Sequence, residues 1–318
     1  MRAEVTMLVI AFNHARFVEQ CLDSCFAQTL PARVLVIDDA SPDGTADVVA
    51  AYSSRTGREL TLVRHPVNRG LGPSLAEGLA MVETEFLAYL AADDWIEPER
   101  CAVQVAALRA GGPGCALSYS DVFRADEDGT PIPGVLSTGM GAAWQPGVED
   151  LFAALIEDNW IPAPSVMVRT DALRRVGGYD PGLFYEDHDV ALRLAREHTF
   201  AFVEPPIATH RELVGSLGNR MFLQEANRPE WLRARVRLYG KHLGFRADLD
   251  GRIATMIRAW VLTLYAAGEP PHWVAGELAR LLPFLPAELR HTTRGYVALA
   301  RARVPGSAVA RLRALRHR

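Results

Sequence analysis

The chain has 318 residues, of which 49% are hydrophobic and 23% are charged, and its formal net charge is −4. These values are ordinary for a soluble globular protein with one large α/β domain, or with a domain and an extension. No apolar run approaches the roughly 18 residues that a membrane-spanning helix needs. The N-terminal apolar run is also too short for a signal peptide, so we expect a cytoplasmic protein.

Over the first hundred residues, short apolar runs alternate with amphipathic segments. The apolar runs predict buried strands, and they read EVTMLVIAF, ARVLVIDD, ELTLVRHP and FLAYLAA. The segments between them predict helices, and they read RFVEQCLDSCFAQ, TADVVAAYSS and GLGPSLAEGLAMVE. This alternation, with its short connections, predicts an α/β fold with a mainly parallel sheet that helices cover on both faces.

Beyond residue 101 the pattern is less regular. YSDVFRADEDGTPIP predicts two strands joined by a turn, GVEDLFAALIEDN a helix, and APSVMVRTDALRRVGGYDP a strand followed by a helix. YEDHDVALRLAREH predicts a helix with an acidic first turn, and TFAFVEPPIATHRE a last strand. After Asn219 we expect only helical segments, rich in Arg, Leu and Ala.

The four cysteines are Cys21, Cys25, Cys101 and Cys115, and none of them forms a CxxC pair. This spacing argues against a zinc site, and we interpret all four as small buried hydrophobic residues.

The C-terminal end is strongly basic, because residues 289–318 contain eight arginines and no acid. One interpretation is structural: the basic residues form a solvated helix face, or the segment packs on the rest of the chain or forms a homodimer contact. The other is contact with an anionic membrane surface or an acidic partner, which would hold the protein at the inner membrane face. We expect no nucleic-acid partner.

Polar or aromatic residues follow three of the predicted strands. Phe12–Asn13 come after the first strand, Asp38–Asp39 after the second and Asp93–Asp94 after the fourth. Because ligands of open α/β sheets bind beyond the carboxyl ends of the strands, we expect these three stretches to share one crevice.

Two adjacent carboxylates at a strand end repel each other, so Asp93 and Asp94 indicate a partner that binds both. Without a basic cluster nearby, that partner is best explained as Mg²⁺ or Mn²⁺, which also binds a diphosphate. The alternative is that the two acids only cap a turn. Phe12 could offer a flat face to a base and Asp39 could accept its N–H groups; the alternatives are core packing and a turn cap.

Several segments together, in a fixed order, carry a family resemblance. They are TMLVIAFNHARFVEQCLDSCFAQTLPARVLVIDDASPDGT, NRGLGPSLAEGLA, FLAYLAADDWIEPERC and PSVMVRTDALRRVGGYDPGLFYEDHDVALRLA. They resemble glycosyltransferase family 2, with its A-[YF]-N, D-D-x-S-x-D-G-T, L-D-x-D-D-x-x-x-P and E-D-x-[DE]-x-x-x-R motifs. The resemblance covers roughly the first two thirds of the chain.

The resemblance implies the GT-A fold, which is Rossmann-like: a mixed, mainly parallel sheet sandwiched by helices. It implies a catalytic domain over residues 1–220, with a nucleotide-binding half at about 1–100 and an acceptor-side half at about 101–220. We expect residues 221–318 to form a helical C-terminal extension that ends in the basic tail.

The resemblance also implies a reaction, the inverting and metal-dependent transfer of a sugar from a nucleotide-diphosphate donor to an acceptor hydroxyl. We expect a UDP- or dTDP-sugar as donor, Mn²⁺ or Mg²⁺ as cofactor, and a glycan or a lipid-linked molecule as acceptor. Synthesis of cell-envelope glycans is the setting that the resemblance suggests.

Carried over motif by motif, the resemblance implies a set of donor-binding residues. They are Phe12 on the base, Asp39 on its imide, Asn13 and Asp38 in the same pocket, Arg69 near the phosphates, and Asp93 at the ribose or sugar. Since the leaving group is a phosphate, metal charge replaces a general acid there.

For the reaction itself, the resemblance implies that Asp94, together with Asp93, binds the metal. Asp187 would be the general base that deprotonates the acceptor hydroxyl, with Glu186 beside it. Weaker acceptor candidates are Trp95 and Trp160, for which domain packing is the alternative, and Arg211.

Two positions depart from the family pattern. Ala91 stands where an acid is common, and Leu213 stands where a histidine is usual. His210 could substitute for that histidine, or it could be structural. A non-catalytic sugar-nucleotide-binding subunit is therefore an alternative, whereas a nucleotidyltransferase should carry a Gly-rich basic loop near AFNHARF, which is absent.

Overall fold

We describe the protein from a computed structural model, which covers residues 3–141, 144–183, 185–214 and 228–309. By its internal contacts the chain divides into two compact units, Met1–Ser216 and Leu217–Arg318.

All strands within the described residues belong to the N-terminal unit. They are β1 (Val5–Ala11), β2 (Ala32–Asp38), β3 (Thr61–Arg64), β4 (Phe86–Ala91), β5 (Trp95–Ile96), β6 (Cys115–Tyr119), β7 (Phe123–Ala125), β8 (Pro131–Val135), β9 (Met167–Arg169), β10 (Thr199–Phe202) and β11 (Ala208–Arg211).

The helices of the N-terminal unit are α1 (Val18–Phe26), α2 (Thr45–Thr56), α3 (Leu71–Met81), α4 (Arg100–Ala110), α5 (Leu151–Glu157), α6 (Thr170–Arg175) and α7 (Glu186–Leu194). Two short 3₁₀ helices lie at Leu136–Gly139 and Ala163–Ser165.

The main sheet has seven strands in the order β10-β6-β9-β4-β1-β2-β3. Strands β3, β2, β1 and β4 are parallel neighbours, and β10 is parallel to β6. Strand β9 runs antiparallel to both β4 and β6. The expected α/β fold with a mixed, mainly parallel sheet is therefore confirmed.

Strand β1 explains why the sheet is covered on both faces. All seven of its residues are buried, as its unbroken apolar sequence predicts for a central parallel strand. Met7 lies against Cys101 of α4, while Leu8 on the opposite face meets α3 at Gly78. Because successive side chains of a strand point to opposite faces, one short run of sequence builds two layers of the core.

A second, four-stranded sheet has the order β5-β11-β7-β8. Here β11 pairs antiparallel with β5 and parallel with β7. This small sheet matters for the site because β5 begins directly after Asp94 and β11 ends at Arg211.

The expectation of one last strand in TFAFVEPPIATHRE is wrong. The segment forms two strands, β10 in the main sheet and β11 in the second sheet. Pro205 and Pro206 separate them, and a proline cannot donate the backbone hydrogen bond that a continuous strand needs. The structure also contains α4, β5 and β6, which the sequence did not predict.

The C-terminal unit is helical over its described residues, with α8 (Pro229–Gly240), α9 (Ala247–Ala266), α10 (Pro271–Leu281) and α11 (Ala287–Arg301). Among the residues that the structure describes, no helix has the length and apolar character needed to cross a membrane. The arginines at 311–318, on which the membrane hypothesis partly depends, lie outside the described residues.

Candidate functional site

The carboxyl ends of β1 to β4 are joined side by side by backbone hydrogen bonds. Ala92 donates to the carbonyl of Ile10 at 3.0 Å, and Asp39 donates to that of Ala11 at 2.9 Å. His65, directly after β3, donates to the carbonyl of Asp38 at 2.9 Å. The three stretches that were expected to share a crevice therefore follow adjacent strands.

Asp39 organises the loop that follows β3. Its Oδ1 accepts the backbone N–H of Arg69 at 2.8 Å and lies 2.7 Å from Nδ1 of His65. Its Oδ2 accepts the N–H of Gly70 at 2.7 Å. A carboxylate offers about four acceptor positions, so about one remains on Asp39 for a ligand.

The side chain of Arg69 lies at the surface at the same end of the sheet. Its guanidinium pairs with Glu77 of α3, and the Glu77 carboxylate also lies 3.2 Å from Nε2 of His65. The backbone of Arg69 is thus fixed by Asp39, while its charge remains near solvent.

Asp38 is buried but only half satisfied. Its Oδ1 accepts the N–H of Ser41 at 3.0 Å, whereas its Oδ2 has no hydrogen-bond partner among the described residues. Buried carboxylate oxygens are normally paired, so this oxygen is a candidate acceptor for a ligand N–H or hydroxyl.

Phe12 is not a core residue, because 41% of it is exposed at the end of β1. The next residue, Asn13, has φ of 62° and donates its N–H to Oγ of Ser41 at 3.1 Å. Asparagine tolerates this left-handed conformation better than most residues. The turn leaves an aromatic face beside the Asp38–Asp39 cluster, where a flat ring system could stack.

Asp93 is buried beyond the end of β4, and no counter-charge among the described residues lies in hydrogen-bond contact with it. Its Oδ1 has no partner within the described part of the chain, and its Oδ2 lies 3.8 Å from Nε2 of His14. Burial, followed by the negative charge of Asp94, raises the pKa of Asp93 to about 6. A cation bound here would reverse that shift, since it favours the ionised carboxylate.

Asp94 is more fully engaged than its neighbour. Its Oδ1 accepts the backbone N–H of Arg211 at 2.9 Å and lies 3.2 Å from Nδ1 of His210. Burial opposes the charging of His210, but the carboxylate of Asp94 outweighs it and raises the pKa of His210 to about 9. The structure thus brings His210, rather than Leu213, to the acid pair.

Few side chains of the described residues could therefore act as ligands of a divalent cation here. No group of three or more His, Cys, Asp and Glu side chains with metal-site geometry occurs in the described ranges. Asp93 and Asp94 do fit a hard cation that takes most of its ligands from a diphosphate and water, because Asp93 offers a free buried oxygen. The pair would hold Mg²⁺ or Mn²⁺, which would offset negative charge on a departing diphosphate.

Arg211, expected as a weak acceptor residue, is 2% exposed and structural in its contacts. Its Nε donates to the carbonyl of Asp93 at 2.8 Å, and its terminal nitrogens donate to the Glu127 carbonyl and the Gln20 side chain. Its guanidinium lies 4.8 Å from the ring centroid of Trp95. These contacts commit both Arg211 and one face of Trp95 to the protein.

Trp160 does not support an acceptor role either. It is completely buried, and its ring packs edge-on against Tyr119 and Trp144 at centroid distances of 5.5 and 5.9 Å. Trp160 therefore fits the alternative interpretation, a packing role within the domain, because a sugar needs an exposed aromatic face.

Glu186 and Asp187 lie in the first turn of α7, where the positive end of the helix dipole stabilises negative charge. Asp187 Oδ2 accepts a hydrogen bond from Nδ2 of Asn159 at 3.0 Å, and Oδ1 accepts the N–H of His188 at 2.7 Å. Burial, followed by the charge of Asp187, raises the pKa of Glu186 well above its ordinary value. Glu186 therefore favours the neutral form.

Tyr89 of β4 links the two acid clusters. It lines a small pocket together with Glu186, Asp187 and Asn159. Burial raises the pKa of Tyr89 well above its ordinary value, and the carboxyl groups of Glu186 and of Asp93 add to that shift. The pair at the start of α7 and the pair after β4 are thus within electrostatic reach of one side chain.

Sequence reasoning missed four polar residues of this region, namely His14, His65, Tyr89 and Asn159. His14 follows Asn13 directly after a strand, so its position was a usable signal. His65, Tyr89 and Asn159 lie within or at the ends of predicted strands and a predicted helix, where the pattern indicates structure but not function, and only the fold brings them to the acids.

Residues 6–140 match the family model of glycosyl transferase family 2. The chain is also similar to the putative glycosyltransferase EpsH of Bacillus subtilis, 32% identical over 30% of this chain and 28% of the relative. The succinoglycan biosynthesis protein ExoO of Rhizobium meliloti is 32% identical over 39% of this chain and 35% of the relative. The matches thus span about a third of these curated relatives.

Two solved structures are similar in fold. Residues 1–349 of TarS from S. aureus in complex with UDP-GlcNAc align with a TM-score of 0.62 at 16% identity, over 93% of this chain and 89% of that chain. The mannosyltransferase PcManGT from Pyrobaculum calidifontis, in complex with GDP-Man and Mn²⁺, aligns with a TM-score of 0.53 at 20% identity, over 95% and 87%.

Proposed function

The chain belongs to glycosyl transferase family 2 through residues 6–140, and from that premise we propose that it is an inverting glycosyltransferase. It moves a sugar from a nucleotide-diphosphate donor to an acceptor hydroxyl during assembly of a cell-envelope or extracellular polysaccharide. The similarity to a succinoglycan biosynthesis protein supports that setting.

The nucleotide binds at the carboxyl ends of β1 and β2. Phe12 stacks on the base, and the free Oδ2 of Asp38 and the remaining acceptor position of Asp39 receive its N–H groups or a ribose hydroxyl. Arg69 contributes positive charge at the phosphates. A UDP- or dTDP-sugar is the donor that we favour, and the UDP-GlcNAc bound to TarS supports a sugar nucleotide of this class.

The diphosphate lies beside Asp93 and Asp94. Asp93 and Asp94 would hold Mn²⁺ or Mg²⁺, which would supply positive charge for the leaving group in place of a general acid. Mn²⁺ in the structure of PcManGT supports this choice of cofactor. Arg211 holds both acids in place, because its backbone N–H donates to the Asp94 carboxylate and its Nε donates to the Asp93 carbonyl.

Asp187 is the general base. Inversion requires one in-line attack, so a single carboxylate on the acceptor side is enough to take the proton of the attacking hydroxyl. The hydrogen bonds from Asn159 and from the His188 N–H fix both oxygens of Asp187. Burial and the charge of Asp187 raise the pKa of Glu186, so Glu186 is not the residue that we assign as the base.

One observation carries this proposal. At the carboxyl ends of adjacent strands lie the exposed ring of Phe12 and two buried aspartates, Asp38 and Asp93. Each aspartate has one oxygen without a hydrogen-bond partner among the described residues. The test is to incubate the purified protein with Mn²⁺, simple alkyl glycosides and a panel of UDP-glucose, UDP-GlcNAc, a dTDP-sugar and GDP-mannose. Release of nucleoside diphosphate with one donor is expected, and release with none would reject the proposal.

A non-catalytic sugar-nucleotide-binding subunit remains the second candidate. The observation that favours it is the small donor set, with Ala91 and Leu213 in place of two common side chains and no three-ligand cluster in the described residues. Such a subunit would bind a donor without releasing nucleoside diphosphate, and the same panel separates the two functions.

We propose further that residues 1–220 form the catalytic domain and that residues 221–318 form a helical extension. Its basic end holds the protein at the inner membrane face through electrostatic attraction to anionic lipid, near a lipid-linked acceptor. Cell fractionation tests this: the protein should sediment with membranes in low salt and be released in high salt.

A further inference from the structure

Asn159 lies just beyond the end of α5 and contacts the carboxylate at the start of α7. Its Nδ2 donates to Oδ2 of Asp187 at 3.0 Å, while Oδ1 of Asp187 is already bound by the N–H of His188. The rotation of the Asp187 carboxylate is therefore restrained from both sides.

The same amide leaves its oxygen without a partner. Because the NH₂ group of Asn159 must face the carboxylate, its Oδ1 lies on the other side of the planar amide. This oxygen is buried and accepts no hydrogen bond within the described part of the protein. A buried acceptor without a donor is unfavourable, and a ligand that supplies the donor relieves that cost.

Asn159 borders a small pocket next to the two carboxyl groups at the start of α7. Asn159, Glu186 and Asp187 line one pocket whose remaining wall is mostly apolar, with Ile161 and Val190 among its members.

We infer that Asn159 is an acceptor-binding residue that reads a second hydroxyl of the acceptor, next to the hydroxyl that Asp187 deprotonates. This inference rests on the proposed function. The acceptor is accordingly a sugar with two neighbouring free hydroxyl groups, rather than a molecule with an isolated hydroxyl.

The transfer needs no reagent other than the donor and the acceptor. The attacking hydroxyl gives its proton to Asp187 while its oxygen forms the bond to the anomeric carbon, and the bond from that carbon to the diphosphate breaks. The neighbouring hydroxyl keeps its proton and donates it in a hydrogen bond to Oδ1 of Asn159. Both side chains thereby set the angle of attack.

The first test compares variants with the donor and the alkyl glycoside that give the highest turnover for the wild type. Asn159→Asp preserves shape but removes the N–H donor, and Asn159→Ala removes both amide atoms. We expect a 10- to 100-fold loss in kcat/KM for the acceptor in each, with nucleotide Kd and Tm close to wild type. Asp158→Asn, an exposed change one position away, is the matched control and should retain full activity.

The second test varies the acceptor. Wild-type protein is assayed with the parent glycoside and with monodeoxy forms that each lack one hydroxyl beside the attacking position. One deoxy form should lose at least tenfold in kcat/KM with the wild type and much less with Asn159→Ala, because that variant no longer makes the contact. A purely structural role would give equal losses in both proteins.

The outcomes separate this inference from the proposed function. If wild-type protein releases no nucleoside diphosphate with any donor, both the proposed function and this inference are rejected. If wild type is active, and Asn159→Asp matches it in kcat/KM or the deoxy effect is unchanged in Asn159→Ala, only the role of Asn159 is overturned.

Discussion

Arg211 donates its backbone N–H to Oδ1 of Asp94 at 2.9 Å and its side-chain Nε to the carbonyl of Asp93 at 2.8 Å. One buried residue thus fixes the position of both acids. The contact spans the two small strands β5 and β11, so the site depends on a sheet that is separate from the main sheet of β1, β2 and β4.

We therefore expect Arg211→Met to be costly. It leaves the carbonyl of buried Asp93 without a donor, whereas the exposed Glu127 and Gln20 can bind water, so the free energy of unfolding should fall by about 1–3 kcal/mol. Urea denaturation measures this loss, and sugar transfer should fall with it.

Arg16→Met is the matched control for that variant. Arg16 pairs with Glu127 and Asp128, but its side chain is 57% exposed. Exposed ion pairs contribute little, so stability should change by less than about 0.5 kcal/mol. Equal losses in the two variants would contradict the role assigned to Arg211.

Gly72 allows α3 to approach the segment that leads into α7. A Cβ at this position would lie 3.0 Å from the carbonyl oxygen of Asp180 and 3.2 Å from that of Leu183, and both are backbone atoms. Gly72→Ala should therefore cost about 1–3 kcal/mol of stability and lower kcat by displacing Glu186 and Asp187. Gly139→Ala, with no atom within 4 Å of the added Cβ, should leave both unchanged.

The raised pKa of Asp93 predicts a specific pH dependence of stability. Because burial and Asp94 raise this pKa to about 6 in the folded protein, the folded state holds the proton more tightly than the unfolded state, whose Asp pKa is about 3.9. The contribution of Asp93 to stability is therefore largest below about pH 4 and is lost as the pH rises to about 6.

The measurement compares wild type with Asp93→Asn in EDTA by urea denaturation from pH 4 to pH 8. The stability of wild type relative to the variant should fall on the order of 2–3 kcal/mol across that window and stay constant above it. Saturating Mn²⁺ should restore much of the loss for wild type only. A difference that does not vary with pH would show that Asp93 is ionised throughout.

Asp187→Asn should abolish transfer while leaving donor affinity within a few-fold of wild type. The variant keeps the shape of the side chain but cannot accept the proton, and loss of a general base typically costs 10²- to 10⁴-fold. Single-turnover assays measure the chemical step, and calorimetry with UDP measures binding. A large loss of nucleotide affinity would remove Asp187 from the base role.

The first hundred residues of the fold could be predicted from the sequence because their strands are continuous apolar runs that end in polar residues. In β1 every residue is buried, and the residue that follows, Phe12, is exposed. Local sequence alone therefore located Asp38, Asp39, Asp93 and Asp94 at strand ends.

The acceptor side was less readable because tertiary contacts decide it. Nothing in the sequence around Trp160 distinguishes a buried ring from a sugar-binding one, and the structure buries it completely. Arg211 and His210 reach the acid pair through β11, a four-residue strand that periodicity did not separate from β10. Asn159 contacts Asp187 across 28 positions of sequence.

The central claim is that the donor binds at the carboxyl ends of β1, β2 and β4, where a divalent cation joins its diphosphate to Asp93 and Asp94. The most direct measurement is a crystal structure with UDP and Mn²⁺, with the cation located by its anomalous scattering. We expect the anomalous peak at the carboxylates of Asp93 and Asp94 and the uracil ring against Phe12. Well-ordered nucleotide bound elsewhere, or a manganese peak remote from both acids, would contradict the account.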